Sequence, residues 1–145
     1  HEPELLAATA MILLPKDYLR LCLTGDAVSE MSDAAGTLWL DVGARDWSNR
    51  LLELCGLTRR QMPRLVEGSA VSGRLREDIA KAWGIDGQPV VAGGGGDNAA
   101  AAAGLGVVAP GDSFLSLGTS RQASSLRQLN RLVWDRCLFV ASRCT

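Results

Sequence analysis

Apolar positions recur three and four residues apart at the start of the chain and then change period. Residues 4–13, Glu-Leu-Leu-Ala-Ala-Thr-Ala-Met-Ile-Leu, carry the repeat of an amphipathic helix. Pro15 then sits where a helix tolerates proline, at its first position, with Asp17 in the electropositive first turn. This predicts a second helix over Lys16 to Leu23, closed by Thr24-Gly25. Met31 to Val42 opens with small residues and then alternates, Leu38, Leu40 and Val42 against Thr37, Trp39 and Asp41, which is the period of a strand. Ser48 is placed to cap a helix from Asn49 to Cys55 that stops at Gly56. Thr58 can cap a short helix through Gln61, ahead of Pro63. Residues 64–74 read as a polar connector, Leu75 to Trp83 as a helix stopping at Gly84, and Val90 to Ala92 as a strand. Four glycines, Gly93 to Gly96, follow, then Asp97, Asn98 and an alanine-rich helix to Leu105. Pro110-Gly111-Asp112 is a turn. Phe114 to Leu117 is a second strand, which runs into Gly118-Thr119-Ser120. From Arg121 onward the chain has five arginines, one acid and no glycine or proline, so it is either an amphipathic helix or no regular element.

Composition narrows the field. The chain has 145 residues, is 47% apolar and carries a net charge of −1. That suffices for a core and argues against a dedicated nucleic-acid binder, which would be clearly basic. Cys22, Cys55, Cys137 and Cys144 form no C-x-x-C pair, and the single histidine, His1, leaves no zinc-type cluster. The cysteines read as reduced thiols. No signal-like segment opens the chain. No apolar run approaches the ~18 residues of a membrane helix. A cytoplasmic protein with no membrane partner is expected.

Four stretches carry candidate chemistry. Glycine inside a regular element costs about 0.5–1 kcal/mol relative to alanine, so four in a row suggest that something approaches the backbone closely. Asp97 at the end of that run could accept a proton from an attacking hydroxyl, or could simply cap the helix that follows. Gly118-Thr119-Ser120 offers backbone N–H groups and two hydroxyls at a strand end, a phosphate cradle or an ordinary turn. Gly94-x-Gly96-x-x-Ala99 also fits a loose dinucleotide fingerprint. Against that stand Asp97 inside the loop meant for a pyrophosphate, and Asp112, which precedes the second strand instead of following it. Finally, Asp33, Trp39 and Asp41 could wall a sugar pocket with Trp39 as a stacking face, or Trp39 could be a core residue. Trp47 and Trp83 read as packing residues.

Taken in order, Leu13 to Arg20 (Leu-Leu-Pro-Lys-Asp-Tyr-Leu-Arg), Leu23-Thr-Gly25, Met31 to Val42, Val90 to Ala100 and Leu115 to Ser120 resemble the FGGY carbohydrate kinases, over roughly residues 2–120. The resemblance implies an α/β fold, part of a two-domain ribonuclease-H-like protein of the sugar kinase, hexokinase and actin superfold. It implies that residues 1–108 end the sugar-binding domain, that 109–120 begin the nucleotide-binding domain, and that 121–145 are an atypical tail. It implies Asp97 as catalytic base, Asp97 and Asn98 as sugar contacts, and Gly118, Thr119 and Ser120 on the loop that holds the phosphates of ATP. Mg2+ accompanies the nucleotide, and no residue here is expected to ligate it. The helix Ala99 to Leu105 resembles the family's connecting helix near the interdomain hinge. The expected reaction is phosphorylation of a ketopentose, D-xylulose first, by a longer protein for which a homodimer is left open. By itself this segment is expected to be inactive. A dinucleotide-binding oxidoreductase segment and a non-catalytic scaffold domain of the same superfold are the alternatives.

Overall fold

The computed structural model describes residues 2–117, 121–126 and 137–141. The chain divides into two compact units, His1–Gly95 and Gly96–Thr145.

The first unit begins with helix α1 (Pro3–Ala8), shorter than the expected 4–13. It buries none of its residues. The helix stops because the chain turns extended at Thr9 and the Ile12 amide donates to the Gln61 carbonyl at 2.8 Å. Helix α2 (Pro15–Thr24) starts at its proline and ends at Gly25, as the sequence predicts. Strand β1 (Val28–Glu30) follows, with all three residues buried. It pairs in parallel with β4 (Arg64–Val66), Ser29 opposite Leu65. The sequence hides both strands. Ser29 and Glu30 are polar yet buried, and residues 64–74 are too short and charged to alternate, so the expected connector is instead β4 and β5 (Val71–Arg74).

Helix α3 (Met31–Ala35) takes the small residues at the start of the expected strand. Leu38 stands at φ +67°, a left-handed conformation that a leucine strand residue does not adopt, so β2 contains only Leu40–Asp41. It forms a hairpin with β3 (Asp46–Trp47). The Asp41 carboxylate accepts from the amides of Gly43 and Ala44, each at 2.9 Å, and shapes the turn. Helix α4 (Asn49–Leu54) is capped by Ser48, whose hydroxyl oxygen accepts from the Leu51 amide at 3.4 Å. A 3-10 turn (Arg59–Gln61) follows, with the Gln61 side-chain oxygen accepting from the Thr58 amide at 2.9 Å. Arg59 also donates to Asp46, and that guanidinium holds the Asp46 carboxyl below its ordinary range.

The core gathers from these elements: Ala34, Leu40, Trp47, Leu52, Leu57 and Met62, with Ile12, Trp39 and Leu65 packed at its edge. The Trp47 indole N–H finds the Pro63 carbonyl at 2.8 Å, which removes the cost of burying it. Helix α5 (Glu77–Ala82) places acids in its first turn and Lys81 in its last, in accord with the helix dipole. Trp83, expected to pack, is instead 61% exposed, because it lies beyond the one buried residue of α5, Ala80.

Strand β6 (Val90–Ala92) pairs antiparallel with β5 and delivers the chain to the glycine run. Here the close approach foreseen from the sequence comes from the protein itself. A Cβ on Gly93 would lie 2.3 Å from the Glu67 carbonyl oxygen, and one on Gly68 would lie 2.4 Å from the Gly94 oxygen. The Gly93 amide donates to Ala70 and the Gly94 amide to Gly68, both at 2.9 Å. Gly94 has φ +81°, which only glycine adopts without strain.

The second unit opens with helix α6 (Asp97–Gly104), of which only Ala102 is buried. The turn at Pro110-Gly111-Asp112 is closed by the Asp112 carboxylate, which accepts from the Val108 and Ala109 amides at 3.1 and 2.8 Å. Strands β7 (Ser113–Leu117), β8 (Arg121–Leu126) and β9 (Cys137–Ala141) form an antiparallel sheet in that order. Leu117 lies opposite Arg121, and Gln122 opposite Ala141. The expectation of a helix or an irregular tail after Ser120 is therefore corrected to strand over these two segments.

Two stability outcomes follow from this packing. Leu52→Ala, at a site 1% exposed, should cost about 2–5 kcal/mol in urea denaturation; a loss under half of the lower figure would mean that Leu52 is not central to the core. Gly93→Ala and Gly95→Ala make the same change two residues apart. The first forces a Cβ against backbone, whereas at Gly95 the nearest atom is the Ser32 hydroxyl oxygen at an ordinary 3.8 Å. Melting temperatures should therefore fall for Gly93→Ala and hold or rise slightly for Gly95→Ala. Equal losses would contradict the described loop.

Candidate active site

Asp97 stands at the first position of α6, directly after the glycines. The residue that flanks the helix as its cap is Gly96, and Asp97 follows it in the first turn, where its side chain accepts from a first-turn amide. Its carboxylate is exposed. One oxygen, Oδ1, accepts from the Asn98 amide at 2.7 Å and from the Asn98 side-chain Nδ2 at 3.1 Å. The other makes no hydrogen bond among the described residues. The structure thus brings the predicted pair together: an anionic oxygen open to a donor, beside an amide that orients the carboxylate.

Gly118, Thr119 and Ser120, the predicted phosphate loop, lie outside the described residues. Among the described residues there is no group of three or more His, Cys, Asp or Glu side chains placed to hold a metal ion. None of the described helices is long and apolar enough to cross a membrane.

The proposed sugar wall at 31–42 resolves differently. Trp39 is half-buried at the edge of the core, and its indole N–H points to the Cys55 sulfur at 3.4 Å. Asp41 is consumed by its turn, and Asp33 lies 3.4 Å from the Lys16 ammonium. These are packing and pairing roles. Strand β6, ahead of the glycine run, pairs antiparallel with β5, and β7 pairs antiparallel with β8.

Sequence reasoning missed a buried charged cluster in the first unit. Asp17 is 0%, Arg20 4% and Glu30 2% exposed. Lys16 reaches Asp17 at 3.0 Å and Glu30 at 3.9 Å. The Glu30 carboxylate caps α3, accepting from the Ser32 and Asp33 amides at 2.9 and 2.8 Å. Arg20 donates from Nη1 to Asp17 at 3.0 Å and to the Val28 carbonyl at 2.8 Å, and from Nη2 to the Gly93 carbonyl. The available signal was the spacing of Asp17 and Arg20. Three apart on one helix, they share a face, and a pair so placed is able to go inside together.

The comparisons agree with this architecture. The sequence model for the FGGY family of carbohydrate kinases, N-terminal domain, matches residues 1–104. The chain is 58% identical over 120 residues to a xylulose kinase of Escherichia coli K12, covering 83% of this chain and 25% of that protein. Among solved structures, a xylulose kinase from Brucella ovis superposes with a TM-score of 0.80 at 54% identity, over 86% of this chain and 26% of the other. A xylulose kinase from Rhodospirillum rubrum superposes at 0.76 with 26% identity, again over 86% and 26%. The chain therefore spans about a quarter of the length of the relatives it matches. Its fold is that of the corresponding part of a sugar kinase in the actin and hexokinase superfold, and the chain belongs to the FGGY family of carbohydrate kinases.

Proposed function

We propose that this chain forms part of a kinase that phosphorylates a ketopentose, D-xylulose to D-xylulose 5-phosphate, with Asp97 as the general base. The observation that carries this reading is the exposed Asp97 carboxylate directly after the glycine run, with one oxygen held by Asn98 and the other open. It stands in a chain 58% identical to a protein named xylulose kinase.

In this reading the free oxygen of Asp97 takes the proton of the sugar's terminal hydroxyl. That hydroxyl oxygen then forms its bond to phosphorus as the bond to the departing ADP oxygen breaks. ATP, accompanied by Mg2+, supplies the phosphoryl group. The Asn98 side chain, already donating to Asp97, is close enough in sequence to contact the same sugar. Gly118, Thr119 and Ser120 would hold the nucleotide's phosphates through backbone N–H groups and hydroxyls, so that positioning and charge neutralisation supply most of the rate. Residues 1–108 would close the sugar-binding domain and 109–120 open the nucleotide-binding one.

Two experiments test the proposal. In a full-length family kinase whose own counterpart is replaced by residues 1–120 of this chain, Asp97→Asn should retain sugar binding. Its turnover should fall by about 10²–10⁴-fold. Full-rate turnover by that variant would remove Asp97 as base and favour the scaffold alternative. The 145-residue chain alone, given D-xylulose and MgATP, should release no ADP above the uncatalysed rate. Steady turnover would show that the residues proposed here suffice without the rest of a family kinase.

A further inference from the structure

Helix α2 packs inside out. The two residues that it buries are charged, Asp17 and Arg20. Pro15, Tyr18, Leu19 and Cys22 are exposed instead. Their spacing of three and four residues sets them on one face, opposite the buried pair. Tyr18 is 62% and Leu19 59% exposed. We propose that this apolar face of α2 is an interface, covered by an apolar segment of the longer kinase that lies outside these 145 residues. The proposal rests on the reading of the chain as part of such a kinase.

The contrast between the two sides is the main argument. A helix at a free surface turns its charges to water and its apolar stripe to the core. Here the charges go inside, where Arg20 donates to Asp17 and to the Val28 and Gly93 carbonyls. The other neighbours of α2 meet the same side. Strand β5 reaches it at Thr24, one helical repeat beyond Asp17 and Arg20, where a Cβ on Gly73 would lie 2.9 Å from the Thr24 Cβ. The tyrosine and leucine on the far side forgo the gain that removal of apolar surface from water brings. Contiguous apolar surface of this kind marks a place of contact. None of the four side chains carries a charge, so the face fits aliphatic and aromatic side chains, with the Tyr18 hydroxyl as its one polar tip.

Area decides what covers it. A second copy of the chain would bring only the same strip. Ten residues of helix offer a face about 15 Å long and about 10 Å wide, far short of the ~800 Å² per partner of a stable dimer. A segment of the same polypeptide needs no such area, because the chain itself holds it nearby. The matched stretch is about a quarter of the relatives' length, so most of such a kinase lies beyond it.

Cys22 lies on the face as an exposed free thiol and reports on it directly. Its alkylation by a small maleimide, read by peptide mass mapping, is compared in the 145-residue chain and in the full-length family kinase carrying residues 1–120. Alkylation should be about tenfold slower or more in the full-length protein, at every protein concentration. Equal rates would show the face open there and overturn the proposal. Protection that vanishes on dilution would make a second copy the cover, and the proposal fails in that case too. Leu19→Gln gives an independent readout, since glutamine keeps the helix propensity but loses the apolar contact. In the 145-residue chain the melting temperature should stay within about 2 °C. In the full-length kinase it should drop by about 5 °C or more, or the variant should fail to fold. Tolerance in both proteins, or an equal loss in both, would sink the proposal. Neither readout uses turnover, so a failure of Asp97 as base leaves the interface standing, and an open face leaves the base assignment standing.

Discussion

One guanidinium joins three separate stretches of the first unit. Arg20 lies on α2, receives its counter-charge from Asp17 one turn earlier, and bonds the backbone of β1 at Val28 and of the glycine loop at Gly93. An ion this deeply buried survives only when its charge is balanced and most of its donors are used; losing a partner from such a pair typically costs about 3–5 kcal/mol. The constraint spreads outward. It holds the chain entering β1, and β1 ends in Glu30, whose carboxylate caps α3 and draws Lys16 in from α2. Helix α3 in turn places Ala34 in the core beside Leu40 and Leu52. The polar cluster and the apolar core are thus successive layers of the same unit.

Much of this organisation was legible from residue order alone. Pro15 and Gly25 bound α2, Ser48 caps α4, and the glycine run separates β6 from α6, all through local chemistry that a few neighbouring residues suffice to express. What escaped depends on partners distant in sequence. Strand β1 contains a serine and a glutamate that look like surface residues until Arg64 to Val66 pair alongside and Ser32 donates to the glutamate. Residues 9–13 have a helical pattern but leave the helix because Gln61 claims the Ile12 amide. Leu38 fits an alternating strand on paper and adopts a positive φ in the chain. Arg20 could be read only as a charged helix residue, since nothing nearby announces that Gly93 is its acceptor.

The glycine run shows the two kinds of information meeting. Its departure from ordinary composition pointed to a close approach of something to the backbone, and a substrate was the natural candidate. At Gly93 the approaching object is the Glu67–Gly68 turn, and at Gly94 the requirement is conformational. Half of the run therefore serves the architecture of the first unit. The other half, Gly95 and Gly96, leads directly to Asp97 and leaves its carboxylate exposed.

The reciprocal contact between this loop and Gly68 has a genetic consequence. Every missense change of a glycine codon installs at least a Cβ. At Gly68 that atom would strike the Gly94 carbonyl, and at Gly93 the Glu67 carbonyl. Neither obstacle is a flexible side chain that might swing aside. Two codons far apart in the gene are thereby closed to drift by one shared surface, and a substitution at either could be accommodated only if the opposite backbone moved with it. In a collection of natural variants these positions should stay glycine together, even where the polar residues between them change freely.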